Sequence, residues 1–208
     1  IAEWGSFNLT FAIATLVSLD SGTVYGLTVQ MMGVAFMIYV GMGTATSVRV
    51  AERFGRGDAV GVREASRLGV VASTLLGLIL ATALILLRDP ISVTWLNGSE
   101  VASEGAHLMP QLSLMLAAVA FVTLFDGLQA VGSMALRAQG VVWIPTAIHV
   151  GSYVFVMLPL CWWLALHTDY GVWGVIIGIS VASMVAGVGQ ALALEVKSAM
   201  GVKFGLPK

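Results

Sequence analysis

The sequence predicts an all-α polytopic membrane protein, with six spanning helices forming one bundle. Three observations predict it. Hydrophobic residues make up 58% of the chain and charged residues only 10%, where a soluble domain carries about a quarter charged residues. The mean hydropathy is +0.94, and the apolar runs approach the roughly 20 residues that a bilayer core requires. The charges are also sorted by loop. Arg49, Arg53, Arg56, Arg63, Arg67, Arg137, Lys197, Lys203 and Lys208 fall on one side of a six-span layout, and only Arg88 on the other. The positive-inside rule makes the first side cytoplasmic, so both chain ends are expected there.

The first span covers about 4–19 and looks cut short at its start. The chain opens at Ile1, without Met or a targeting segment, and reads as a fragment whose amino-terminal part is missing. Asp20-Ser21-Gly22 is a turn signal. The second span is about 23–48, followed by a charged linker from Arg49 to Arg67. Within it, Gly55-Arg56-Gly57-Asp58 reads as a tight turn with Asp58 as N-cap of the next helix. The third span is about 68–87, ended by Arg88-Asp89-Pro90 because proline cannot continue a helix. Asn97-Gly98-Ser99 is a turn signal and, by pattern alone, a glycosylation sequon. The fourth span is about 107–136, the fifth 145–166 and the sixth 171–194. Lys197 to Lys208 forms a short tail. Residues 1–208 are thus read as one transmembrane bundle.

Composition excludes several functions. There is no basic patch with interleaved aromatics, so nucleic acid is not a partner. The single cysteine, Cys161, cannot form an internal disulfide. No metal-ligand spacing, nucleophile elbow or phosphate-binding loop is present, so no enzyme and no cofactor is expected.

Asp126 is the residue that points to a function. It lies in Leu124-Phe125-Asp126-Gly127-Leu128-Gln129, eleven residues before Arg137. At about 1.5 Å per residue that is roughly 16 Å, close to the middle of a core about 30 Å thick. A carboxylate there costs about 2.5–3.5 kcal/mol and is a functional-site hypothesis by default. Glu3 is a second carboxylate in or near a span, expected nearer the cytoplasmic half. His149 and Tyr153 are four apart and share a helix face; with Gln129 they are candidates to line a cavity. Pro159 interrupts the fifth span and is read either as a hinge for alternating access or as a static kink. Gly174 and Gly178 form a small-xxx-small pair, and Gly41, Gly43, Ala45 and Ser47 line the end of the second span. Both features suit close helix packing.

Several of these landmarks, in order, resemble the carboxyl-terminal half of a multidrug and toxic compound extrusion (MATE) transporter of the NorM-like bacterial kind. Gly43 to Arg49-Val50, followed by Gly55-Arg56-Gly57-Asp58, is similar to the family's small-residue, Arg-Val and Gly-x-Gly-Asp segment. Phe125-Asp126-Gly127-Leu128-Gln129 with Ala135-Leu136-Arg137 resembles its Asp-containing span and Leu-Arg exit. Ser152-Tyr153 with Leu158-Pro159, then Gly171-Val172-Trp173-Gly174 with Ile177-Gly178, are similar to the next two spans. There are departures. Ala138-Gln139-Gly140 follows Arg137 where the family usually has Gly and an Asp-Thr step, and Val24-Tyr25-Gly26 stands where it usually has Ala-Ala-His.

The resemblance implies twelve spans in two six-helix bundles, with an amino-terminal half as partner and a central cleft for cargo. It implies an antiporter in the bacterial inner membrane, surrounded by lipid. Drugs and organic cations or other amphiphiles leave as protons or sodium ions enter. The functional carboxylates it implies match Asp126 and Glu3, where a sodium ion or proton would bind. Val122, one turn before Asp126, offers no side-chain oxygen and favours protons. Two rival readings stay open at this point: a lipid or lipid-linked sugar flippase of a related fold, and a non-transporting structural membrane subunit.

Overall fold

A computed structural model describes residues 2–97 and 106–204, with side chains from Gly5 and, after the break, from His107. All its regular elements are helical. They are α1 (Ala2–Val17), α2 (Leu19–Gly55), α3 (Ala59–Asn97), a 3-10 turn (Ala106–Leu108), α4 (Met109–Ala138), α5 (Trp143–Val150), a π-helical segment (Gly151–Met157), α6 (Leu158–His167) and α7 (Val172–Phe204). α5, the π segment and α6 run on as one rod, Trp143–His167. Five of the described rods are long and apolar enough to cross a bilayer, and Gly5–Val17 adds a shorter apolar stretch. At about 1.5 Å per residue, the 16 residues of α1 reach roughly 24 Å.

The elements form where expected, but several boundaries move. The break between the first two helices is at Ser18, not at Asp20-Ser21-Gly22. Ser18 has extended backbone and its hydroxyl accepts from the Ser21 amide, so Asp20 becomes a first-turn acid of α2. Most of the expected 49–67 linker is helix. Only Arg56-Gly57-Asp58 turns, with Gly57 at φ +71°. Asp58 caps α3 as expected, accepting from the Gly61 amide at 2.8 Å. That bond, more than the neighbouring Arg53, holds its carboxyl below the usual range.

The largest difference is at Pro90. α3 continues through it to Asn97. Two turns beyond the proline pack inward, with Ser92 and Leu96 buried and Ile91 and Trp95 against the core. Ser92 also donates to the Arg88 carbonyl at 2.7 Å. That packing outweighs one lost backbone bond. The expected tail from Lys197 is likewise helical to Phe204, held by buried Ser198 and Gly201. Of the Asn97-Gly98-Ser99 signal, only Asn97 lies within the described residues.

α4 is the central helix. It packs against α2, α3 and α7 and is buried along most of its length. Small residues set the spacing. A Cβ at Gly187 of α7 would lie 2.7 Å from the Phe125 carbonyl of α4, and one at Gly132 would lie 2.8 Å from Gln190 Cβ. The expected Gly174/Gly178 pair packs α7 on α6 in the same way, against Leu164, Ala165 and Cys161. Gly41, by contrast, has open space before it.

Candidate functional site

Asp126 occupies the middle of α4 and faces the bundle interior, 6% exposed. Its position is fixed by the helix on both sides. Gly127 takes the ring of Tyr39 from α2, and Phe125 backs onto Gly187 of α7. The carboxylate is therefore held on a stripe of α4 shared with Thr123, one turn before it, and Gln129, one turn after.

From Asp126 a polar chain crosses the bundle. Gln129 Nε2 donates to Asp126 Oδ1 at 3.5 Å, a long bond. Gln129 Oε1 accepts from the Tyr153 hydroxyl at 2.8 Å. Ser183 Oγ of α7 lies 3.5 Å from the same hydroxyl. Gln129, Tyr153 and Ser183 are all at or below 1% exposed. In a low-dielectric interior such bonds are strengthened, and a buried polar group that loses its partners is costly.

Tyr153 belongs to the π segment, which ends two residues before Pro159. Proline has no amide to give the carbonyl of Phe155, four residues back, and its ring crowds that carbonyl. The i to i+5 pattern of a π-helix accommodates the misfit by inserting one extra residue per turn. The expected kink is thus a π stretch, and it carries the tyrosine that reaches Gln129. Within the stretch the Ser152 hydroxyl is buried and has no hydrogen-bond partner among the described residues.

His149 sits one turn before Tyr153, its ring stacked on the phenol at 6.2 Å and 19°. The Pro145 carbonyl accepts from His149 Nδ1 at 2.9 Å and from Gln190 Nε2 at 2.9 Å. That assignment places the Nδ1 proton toward Pro145. His149 therefore supports the tyrosine ring, and Gln190 supports the histidine. Phe7 of α1 also packs on Tyr153, tilted at 45°, with ring centroids 5.9 Å apart.

Three of the expected site residues, Asp126, Gln129 and Tyr153, are thus joined in one chain, with His149 flanking it. Glu3 lies in the first turn of α1, four residues before Phe7, and its side chain lies outside the described residues. Sequence reasoning did not single out Ser183, Gln190 or Tyr39. The signal for the first two was available: Ser183, Gly187 and Gln190 recur at helical spacing on one face of α7. Tyr39 gave no such signal. It is wholly buried, and its hydroxyl makes no hydrogen bond among the described residues. It lies within electrostatic reach of Asp126 and beside Thr123, whose own proton goes to the Ala120 carbonyl.

The sequence matches the MatE family model over residues 1–163. It is 32% identical over 185 residues to a probable multidrug resistance protein NorM of Bradyrhizobium diazoefficiens, covering 89% of this chain and 39% of that protein. A second probable NorM, from Caulobacter vibrioides, is 33% identical over 186 residues, covering 89% and 37%. The chain therefore spans about two fifths of the length of these relatives. Its fold superposes on a crystal structure of MATE in the bent conformation with a TM-score of 0.87 at 13% identity, covering 97% of this chain and 43% of that one. The eukaryotic MATE transporter AtDTX14 gives 0.77 at 21% identity, covering 97% and 45%.

Proposed function

This chain belongs to the MatE family, and from that premise we propose that it is the carboxyl-terminal, six-span bundle of a proton-coupled multidrug antiporter. Both chain ends lie on the cytoplasmic side of a bacterial inner membrane, an amino-terminal bundle completes the cleft, and the cargo is amphiphilic or cationic. The observation that carries this reading is the Asp126–Gln129–Tyr153 chain. It ties a buried titratable group to the π stretch of a spanning rod.

The chemistry of the amide gives the coupling step. With Asp126 ionised, Gln129 turns its NH2 to the carboxylate and its oxygen to Tyr153, as found here. A protonated carboxyl instead offers an O–H. Gln129 meets it by turning its amide over, which presents NH2 to Tyr153. The phenol must then accept from Gln129 and donate elsewhere, and Ser183 is in place to receive it. Protonation at α4 is thereby read out as a change of partner on the π segment, which Pro159 leaves as the hinge. Glu3 is the second carboxylate of the coupling set in this reading. Protons are preferred to sodium because buried Val122, one turn before Asp126, brings no side-chain oxygen.

The test is Asp126→Asn in the intact protein. Asn keeps the shape and can still hydrogen-bond, but it exchanges no proton. Insertion and expression should stay near wild type, since a buried ionisable group is replaced by a neutral one. Efflux from proteoliposomes driven by an imposed pH gradient should be abolished. Wild-type rates under both a pH gradient and a sodium gradient would make Asp126 a structural residue and end this reading.

A further inference from the structure

At the basic end of the bundle, away from the Asp126 chain, α3 and α7 are joined by one carboxylate shared between two arginines. Glu195 Oε1 accepts from Arg63 Nε at 3.1 Å, Arg63 Nη2 at 2.6 Å and Arg67 Nη2 at 2.6 Å, and Oε2 accepts from Arg67 Nε at 3.0 Å. A guanidinium carries five N–H donors. Each arginine commits two here, so three remain on each. Two cations against one anion leave a net charge of +1 at the cluster.

A second set of donors converges on the same place. Gln139 Nε2 donates to Ser198 Oγ at 3.4 Å, and Ser198 Oγ donates to Ser66 Oγ at 3.5 Å. Ser66 is 2% exposed, and its own proton has no acceptor among the described residues. Ser66, Arg67 and Glu195 form the head of a groove of about 300 Å³. Below that head the groove is walled by Val70, Val71, Ala191 and Leu194. Val71 on its wall is exposed, as are Leu75 of α3 and Leu192 of α7.

We propose that this groove is a binding site for an anionic phospholipid of the cytoplasmic leaflet. The uncommitted groups at its head are donors, which an anion satisfies. The apolar walls and the exposed apolar side chains beside them suit a fatty acyl chain and give a free phosphate nothing to bind. The net positive charge selects a headgroup without a compensating amine. Nine of the ten basic side chains, Arg63 and Arg67 among them, lie on this side of the layout, which is the side an inner-leaflet phosphate reaches. The site is separate from the coupling chain and stands or falls independently of it.

Native mass spectrometry of the intact protein tests the proposal. The protein is equilibrated with equal amounts of phosphatidylglycerol and phosphatidylcholine of the same chain length. The wild type should retain phosphatidylglycerol in excess. Ser66→Ala with Arg67→Gln should cut that preference by about tenfold, the equivalent of one charge-assisted bond. Glu195→Gln removes the anion that offsets one of the two guanidinium charges and should raise the preference, a gain that misfolding cannot imitate. Inorganic phosphate added at the lipid concentration should displace nothing. Equal retention of the two lipids, a preference untouched by the double variant, no gain in Glu195→Gln, or displacement by inorganic phosphate would each overturn the assignment.

Discussion

The ring of Tyr39 lies against Gly127, so close that a Cβ on that glycine would meet Tyr39 Cε1 at 2.8 Å. The ring has no room to retreat, because it is wholly buried and its hydroxyl end faces Gly77 of α3. Gly127 is therefore what lets α2, α3 and α4 close around the residue next to Asp126.

Gly127→Ala should destabilise the bundle by about 1–3 kcal/mol, the usual cost of overpacking a tight core. Thermal unfolding in detergent would read it. Combining it with Tyr39→Leu should recover part of the loss, since the two changes share one contact. Strict additivity of the two changes would mean that the ring does not limit the approach.

Tyr39→Phe should leave stability unchanged or raise it by up to about 1 kcal/mol. It removes a buried hydroxyl that makes no hydrogen bond among the described residues and leaves the packing ring in place. A clear loss of stability in the same melting assay would reveal a bond that this arrangement does not contain.

How much of this was legible beforehand follows from where the physics is local. The apolar runs and the sorted arginines predicted the helical rods, and the cost of burying Asp126 predicted that it faces inward. Asp58 as a cap was readable because capping needs only three residues of sequence. Pro90 was misread because its local cost is outweighed by Ser92 and Leu96, whose packing partners are distant in sequence. The turn at Gly55-Arg56-Gly57-Asp58 and the helix that Asp58 caps were legible in the charged linker, but not that α2 runs on to Gly55: beyond the hydrocarbon core, a helix bearing Arg49, Glu52 and Arg53 stays solvated and keeps its turns. Tyr39 was invisible because an unbonded hydroxyl leaves no pattern in one sequence.

The Glu195 clamp makes stability depend on acidity. Hydrogen bonds from Arg67, then Arg63, hold its carboxyl at about 2, below the ordinary 4.5. A group whose folded value is depressed stabilises fully above its unfolded value and loses that contribution as pH falls through its folded value. The melting temperature of the wild type should therefore drop more steeply than that of Glu195→Gln between about pH 5 and about pH 3. The three side chains are 33–58% exposed, so screening limits the effect to about 1 kcal/mol. Parallel curves for the two proteins would contradict the clamp.

Pro159→Ala separates stability from transport. Alanine restores the missing amide and removes the clash with the Phe155 carbonyl, so the rod can relax from π to α geometry. Losing the extra residue turns one part of the rod against the other by about 100°. Either Tyr153 leaves Gln129, or the α6 face that meets α7 at Cys161 rotates away. The first outcome is the cheaper one. The Cys161 face is locked on Gly178, where a Cβ would already lie 2.4 Å from the sulfur, whereas Tyr153 is held by ring contacts with His149 and Phe7, which can slide, and by its hydrogen bonds. The variant should therefore melt higher, by several degrees, while efflux driven by a pH gradient falls at least tenfold. Tyr153→Phe should reproduce the transport loss without the gain in stability, because it cuts the same bond and leaves the rod bent. If Pro159→Ala transports normally and melts as the wild type does, the proline neither makes the π stretch nor acts through it.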